Sequence, residues 1–258
     1  MKSPTEIARL TASTAICALL PATLLTSMPS RAEVTLSLFT GQQFTDNGDL
    51  HYQNRGAATD VRFDDIRWQE KSFEQPLFYG ARLAYWLTDT PNVGISIDFT
   101  HAKTYAADDD TVSVKGVRGG NAVSGREPFS NTIDSFNLSH GLNMITFNGM
   151  YRWFPAGQRD ETLLGRLHMY TGLGAGFSIP HVEADIKGVR TESYQAGAGP
   201  VVNGMMGLNY DITRFLSGFL EYKLSYADVD AELKGGAKIN AESVNHQLIF
   251  GLTTRFDH

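Results

Sequence analysis

Two histidines in this sequence each stand two residues before a charged side chain. His101 precedes Lys103, and His181 precedes Glu183. Residues two apart in a strand share one face, so each pair projects to the same side if its segment is extended. A histidine beside a carboxylate can act as a general base or supply metal ligands. This spacing predicts proton transfer or metal binding, with a third histidine, His140, leading into the segment between the two pairs.

The same residues have a simpler interpretation. Histidine, lysine and tyrosine combine an apolar body with a polar tip, and such side chains are favoured where a membrane meets water. On this interpretation His101 and His181 are anchors at a membrane surface rather than catalytic groups. The spacing alone leaves both interpretations open.

The glycine-rich stretch from Gly172 to Gly176 does not indicate a nucleotide site. A dinucleotide fingerprint places G-x-G-x-x-G at the turn from a strand into a helix. Here the glycines recur at every second residue inside an extended segment, and no helical pattern follows. Small residues that face the crowded interior of a barrel explain the repeat.

Eight segments of about ten residues position these groups, and each alternates apolar with small or polar side chains. In one of them Val93, Ile95 and Ile97 share a face, while Ser96 and Asp98 share the other. We place the segments at 34–44, 77–88, 93–105, 142–154, 166–179, 201–211, 214–226 and 245–256. The polar face includes Arg82, Asp98, Arg152, Glu221 and Lys223.

The connections between the segments indicate which face is outside. Links at about 45–76, 106–141, 180–200 and 227–244 are long, and those between them are shorter. Long outer loops and short periplasmic turns are typical of outer-membrane barrels, whose apolar face meets lipid. The sequence therefore predicts an all-β fold, an eight-stranded antiparallel up-and-down transmembrane β-barrel. In so narrow a barrel the charged interior should neutralise itself rather than form a solute pore. A soluble ligand-binding barrel would instead turn the apolar face inward.

The first residues predict export. Residues 1–32 combine a short basic start, an apolar stretch and the small-x-small site Ser30-Arg31-Ala32, which together are typical of a cleaved signal peptide. The barrel domain is then 33–258. Removing three basic residues and one acidic residue changes the net charge from −6 to −8, which argues against a nucleic-acid partner. The single cysteine, Cys17, leaves with the signal. We expect a monomer in the outer membrane.

Several stretches of the chain resemble the lipid A oxidase family of outer-membrane proteins. They are Glu70 to Glu74, Asp98 to Lys103, Gly141 to Asn143, Pro180 to Glu183 and Glu221 to Lys223. The resemblance implies an enzyme that oxidises the proximal glucosamine of lipid A to 2-aminogluconate with molecular oxygen as co-substrate. Its partner would be lipid A, or whole lipopolysaccharide, in the outer leaflet.

That reaction suggests a role for each of the candidate catalytic residues. His181, held by Glu183 or assisted by His101, is the candidate base for the sugar hydroxyl proton. The sequence contains no flavin, nicotinamide or haem motif to carry electrons. A divalent or redox metal on His101, His181 and Glu183 would fill that gap, because imidazole and carboxylate are common ligands in oxygen chemistry.

Substrate binding is expected from neighbouring residues. Lys103 is the candidate partner of a lipid phosphate or carboxylate, and Glu70 or Glu74 would orient sugar hydroxyls. His140 and Asn143, beside them on the fourth segment, complete the predicted substrate-binding set. The alternative is a non-enzymatic barrel of OmpA or OmpX type, whose loops serve adhesion or stabilise the envelope. Both alternatives share the same architecture, so these side chains alone separate them.

Overall fold

The computed structural model describes residues 33–257, apart from the side chains of residues 139, 140 and 257. The predicted signal peptide, residues 1–32, and the C-terminal His258 lie outside the described residues. Within the described range the helical elements are three 3-10 turns, at Arg55–Ala57, Phe129–Asn131 and Lys234–Gly236. None of these described helices is long and apolar enough to cross a membrane.

The described chain forms one sheet of fourteen strands. The strands are β1 (Glu33–Thr45), β2 (Gly48–Asn54), β3 (Thr59–Ile66), β4 (Trp68–Gln69), β5 (Tyr79–Trp86), β6 (Val93–Ala106), β7 (Thr111–Arg118), β8 (Asn121–Pro128), β9 (Ser135–Trp153), β10 (Leu167–Ile186), β11 (Val189–Tyr194), β12 (Pro200–Asp211), β13 (Leu216–Glu232) and β14 (Lys238–Asp257). The all-β antiparallel class is confirmed. The predicted number of strands is wrong, because the described chain has fourteen rather than eight.

Eight of the strands pair in a closed ring. The order is β1-β5-β6-β9-β10-β12-β13-β14, and β14 returns to β1. That last pairing is antiparallel and runs without a break from Glu33 opposite Asp257 to Thr45 opposite Asn245. The ring strands lie at the eight segments with period-two alternation. Because the ring is closed, each of these strands has a hydrogen-bonded neighbour on both sides.

The six additional strands fall in segments that the alternation assigned to loops. β2, β3, β7 and β8 continue the sheet from the upper end of β14, while β4 pairs with β6 and β11 pairs with β10. Their inward side chains extend the apolar core above the charged lumen. In it Phe63 meets Phe129 edge-on with ring centroids 5.1 Å apart, and Trp68 meets Phe136 at 6.2 Å. Strands covered by a local core need not have the length of a membrane crossing, so they lack the ten-residue signal.

The two faces of β13 exchange polarity close to Tyr226. Below it the outward residues are apolar, and Leu220 is 59% exposed, whereas inward Glu221 and Lys223 are buried. Above it the strand keeps the same alternation but the chemistry is reversed. The outward residues are now Asp228, Asp230 and Glu232, and the buried inward ones are Ala227, Val229 and Ala231.

The neighbouring strand β14 shows the same exchange at the same height. Tyr226 lies opposite Val244. Below Val244 the outward residues include Leu248 and Phe250; above it Ile239 and Ala241 are buried inside. A wall that is apolar below a line and charged above it marks the boundary between lipid and water. The soluble-barrel alternative requires the apolar face inside along the whole strand, which is not the case here.

One group of charges in the lumen below this boundary is internally balanced. The Arg82 guanidinium donates to Asp98 at 2.8 Å and to Glu221 at 2.6 Å, and the Lys223 ammonium donates to Asp98 at 2.9 Å. All four side chains are buried, and their two positive charges match two negative ones. Arg152, expected in the same group, instead donates to Glu33 at 2.6 Å. Pairing of this kind offsets the high cost of removing ions from water.

The lipid-facing assignment predicts unequal effects of the same substitution at two heights on β13. Leu220→Arg places a charge in the apolar belt and should cost about 2–4 kcal/mol of unfolding free energy. Asp230→Arg, on the same face above the boundary, should cost less than about 1 kcal/mol. Urea unfolding in lipid vesicles measures both values. Equal costs for the two variants would contradict the boundary at Tyr226.

Candidate functional site

A polar band lies on the outer face of the sheet immediately above the apolar belt. On β6, Ile97 is 48% exposed in that belt, and His101 follows four residues higher on the same face. On β10, Phe177 is 37% exposed, and His181 follows at the same interval. We use the name rim cluster for the band's central side chains, namely His101, Lys103, Asn143, His181, Glu183 and Glu192.

His101 is held in place from two sides. Its Nδ1 lies 2.8 Å from the Asn143 side-chain oxygen, and its ring stacks on Tyr79 with centroids 4.8 Å apart. Asn143 in turn donates from its side-chain nitrogen to the Ile179 carbonyl oxygen at 3.0 Å. Asn143 therefore links β6 to β10 across β9 and orients the imidazole. In this structure Asn143, which is predicted to bind substrate, positions the His101 imidazole.

His181 and Glu183 lie together, as the two-residue spacing predicts. The His181 Nδ1 is 3.3 Å from a carboxylate oxygen of Glu183. Glu192 joins them from β11, and one ligand atom from each of the three residues lies within 4.8 Å of the others. Among the described side chains, this is the group with metal-ligand spacing. His101, expected as the third ligand, does not belong to it.

The predicted substrate-binding charges are engaged with the segment between β4 and β5. The Lys103 ammonium donates to the backbone oxygen of Glu74 at 2.9 Å. The Glu74 carboxylate lies 3.4 Å from the Lys71 ammonium and stays exposed. Glu70 accepts from the backbone N–H of Thr45 at 2.5 Å, so it ties this segment to the upper end of β1.

The backbone of β9 is irregular where His140 is located. The register slips on the β6 side between Ala102 and Thr104, and on the β10 side between Pro180 and Glu183. The side chain of His140 lies outside the described residues. Its predicted role in substrate binding therefore remains a prediction.

β11 supplies the part of the site that the sequence interpretation missed. Residues 180–200 were assigned to a loop, although Lys187 and Gly188 form a turn with positive φ angles of 52° and 78°. Such a pair is a hairpin signal when polar and apolar residues alternate around it. The hairpin places Glu192 directly opposite Glu183 and Tyr194 directly opposite His181. Extending the alternation through this turn would have found Glu192.

Beside the rim cluster, the acidic stretch Asp108-Asp109-Asp110 follows β6, and its three side chains differ in their exposure to water. Arg67 donates to Asp110 at 2.8 Å. Asp108 is partly buried, and this desolvation raises the pKa of its carboxyl to about 6, although the Phe136 backbone N–H opposes the shift and Asp109 adds to it. This carboxyl titrates within the range of ordinary external pH.

No protein-family model matches the chain, and no curated protein matches it. Solved structures that align include Neisserial surface protein A, with 12% identity, a TM-score of 0.38, and coverage of 88% of this chain and 98% of that chain. OprG from Pseudomonas aeruginosa aligns with 11% identity, a TM-score of 0.40 and coverage of 89% and 97%. The outer membrane protein AlkL in lipid bilayers aligns with 14% identity, a TM-score of 0.41 and coverage of 90% and 94%. Scores this low carry no argument about this chain.

The class of the protein follows from its own surface. A closed antiparallel ring, an outward apolar belt and a charged interior are the three properties of a membrane-spanning β-barrel. The protein is an outer-membrane β-barrel protein with a folded cap above the membrane, and the cap consists of β2, β3, β4, β7, β8 and β11.

Gly141 tests the packing around His101. Its φ is 121°, and a Cβ added there would lie 2.6 Å from both His101 Nδ1 and the Asn143 side-chain oxygen. Gly141→Ala should cost about 1–3 kcal/mol of unfolding free energy and displace the imidazole. Gly149→Ala on the same strand, with no atom within 4 Å of an added Cβ, is the control. Urea unfolding and the NMR signals of the His101 ring measure the two effects; equal behaviour of the variants would contradict this packing.

Asp108 predicts a pH-dependent contribution to stability. Its pKa is about 6 in the folded chain against an ordinary value of 3.8, so the folded state binds more protons between these pH values. Stability should fall as pH rises through this window, and the full penalty should remain above it. Asp108→Asn removes the penalty, so the variant should gain stability relative to the parent between pH 4 and pH 8. A difference that does not vary with pH in urea unfolding would contradict the prediction.

Proposed function

We propose that the rim cluster binds the sugar-phosphate headgroup of lipid A in the outer leaflet and oxidises it. The observation that carries the proposal is the position of His101, His181 and Glu183 on the outward face immediately above the lipid-facing belt, where neighbouring side chains cover the two imidazoles. A lipid whose acyl chains lie against Ile97 and Phe177 would bring its headgroup to this height. The resemblance to lipid A oxidases supplies the identity of the reaction.

The charges at the rim suit such a headgroup. The exposed ammonium group of Lys71 and the exposed guanidinium of Arg190 can bind phosphate through charge-assisted hydrogen bonds, and buried Lys103 can join them when it releases the Glu74 carbonyl oxygen. The carboxylates of Glu74 and Glu192 can accept hydrogen bonds from sugar hydroxyls. Glu74, Lys71 and Arg190 are also exposed, so their present contacts can be exchanged for contacts with a ligand at little cost.

The reaction requires a base and an electron acceptor. Oxidation of the hemiacetal carbon to a lactone removes two protons and two electrons, and molecular oxygen that accepts them becomes hydrogen peroxide. Water then opens the lactone to the 2-aminogluconate unit. His181, with its Nδ1 3.3 Å from Glu183, is suited to take the hydroxyl proton. The nitrogen and oxygen donors of His181, Glu183 and Glu192 fit a transition metal, which would supply redox capacity that protein side chains lack.

The second candidate is a non-enzymatic barrel of OmpA or OmpX type with adhesive or envelope-stabilising loops. A specific observation favours it. The segments above the membrane form a paired sheet whose inward side chains join the apolar core, so it presents a folded surface to the outside. In addition, the Arg190 guanidinium lies 3.8 Å from Glu183 and 3.2 Å from Glu192, so the rim charges already have partners. The two candidate functions differ in their effect on lipid A, because only the oxidase would form the 2-aminogluconate product.

Mass spectrometry of lipid A tests the proposal. Cells that carry the gene should contain lipid A with one added oxygen atom, and deletion of the gene should abolish that species. His181→Ala should also abolish it while leaving heat-modifiable migration of the folded barrel unchanged. His51→Ala is the control, because His51 pairs with exposed Asp60 on the cap, away from the rim. Lipid A that is unchanged by the deletion would exclude the oxidase and favour the non-enzymatic candidate.

A further inference from the structure

We infer that His181, Glu183 and Glu192 bind one divalent transition-metal ion on the outer wall of the β10–β11 hairpin. The site differs from the predicted metal group, because Glu192 replaces His101. A role of this ion in oxidation rests on the proposed function, whereas the binding itself does not. The argument depends on the backbone that holds the ligands, the donor types and the charge.

The hairpin holds the three ligands on one face. Glu183 and Glu192 are direct cross-strand partners, and His181 lies two residues below Glu183 on the same side of β10. The turn of the hairpin is fixed by hydrogen bonds, since the N–H of Lys187 donates to Asp134 and that of Gly188 donates to Asp185. Pairing with β9 on the other edge of β10 supports Glu183 through Asn137. Ligands on paired strands are positioned before the metal arrives.

The donor atoms are close enough for one ion. The three lie within 4.8 Å of one another, and His181 Nδ1 is 3.3 Å from the nearer Glu183 oxygen. Ligands at about 2.0–2.2 Å from a metal stand roughly 3–4 Å apart, so small side-chain rotations complete the site. One imidazole with two carboxylates favours iron, manganese or zinc over magnesium and calcium, which prefer oxygen ligands alone.

The charge of the site calls for a cation. Two carboxylates directly opposite each other on neighbouring strands destabilise the pair unless positive charge is close. Arg190 provides it in this structure, with its Nη2 3.8 Å from Glu183 and 3.2 Å from Glu192. The Arg190 side chain is 64% exposed, so this contact is screened by water and easily replaced. The Arg190 guanidinium therefore neutralises the two carboxylates in this structure, and a divalent metal ion can displace it.

A comparison on the same surface supports the choice of site. Asp228 and Glu242 are also direct cross-strand partners above the membrane boundary. No histidine joins them within metal-ligand spacing among the described side chains, and an acidic pair alone does not indicate a metal. The β10–β11 hairpin differs by its buried imidazole.

Metal titration of the purified mature protein in detergent tests the inference. After chelation, Co²⁺ is added and followed by its visible absorption, and Mn²⁺ is followed by electron paramagnetic resonance. We expect one site per chain, an affinity at least about 10-fold lower in Glu192→Gln, and a higher affinity in Arg190→Ala. Glu232→Gln is the control, because Glu232 is an exposed carboxylate that pairs with Lys238 on another hairpin. Heat-modifiable migration verifies that each variant is folded.

The outcomes separate the two proposals. No stoichiometric binding, or equal binding by the parent and Glu192→Gln, overturns the metal site even if lipid A is oxidised. Binding that depends on Glu192 and is strengthened in Arg190→Ala supports it, even if lipid A is unchanged and the oxidase proposal fails. Loss of affinity in Glu232→Gln as large as that in Glu192→Gln would also overturn it, because the binding would then reflect surface charge in general.

Discussion

The structure depends on one constraint, which is that backbone polar groups in lipid must find partners within the protein. The pairing of β1 with β14 meets it by closing the ring, so that no ring strand has a free edge in the hydrocarbon. Closure also divides the side chains into those inside and those outside. Within the membrane the outside must be apolar, and the polar residues of the same strands must therefore enter the lumen. Arg82, Asp98, Glu221 and Lys223 are stable there because they pair with one another.

Above the membrane this constraint no longer applies, because water can form hydrogen bonds with the backbone. A site that binds ligands from outside can therefore form there. Above Tyr226 the backbone may be solvated, the outer face becomes charged and the inner face becomes an apolar core. The lumen charges are buried and mutually neutralised, which makes them unsuitable for a ligand from outside. The rim cluster lies on the outer face at the boundary, where Glu192 is exposed, while His101, Lys103 and His181 are covered by neighbouring side chains. The rim cluster, unlike the lumen charges, lies on the side of the wall that faces a lipid headgroup.

The folded cap gives the rim its rigidity. An ordinary outer loop would leave Glu192 free to move, but in this chain the third long link forms a hairpin paired to β10. Asn143 likewise connects β6 to β10 through its two hydrogen bonds. A site held by strands keeps its ligands in place at low entropic cost, which is useful both for binding a metal and for orienting a headgroup. The non-enzymatic candidate would use the same rigidity to present a fixed surface.

Patterns in the sequence predict the ring strands, the direction of their faces and the placement of His181 beside Glu183. These features depend on alternation and two-residue spacing, which are local, and the membrane imposes a strand length that makes them visible. The tertiary structure revealed the cap strands, the placement of Glu192 rather than His101 beside His181 and Glu183, and the separation of Arg152 from the Arg82 group. Register across strands and the folding of a hairpin bring together residues that are distant in the chain. The reason is physical: an alternating pattern states which face a residue occupies, but not which neighbour lies opposite it.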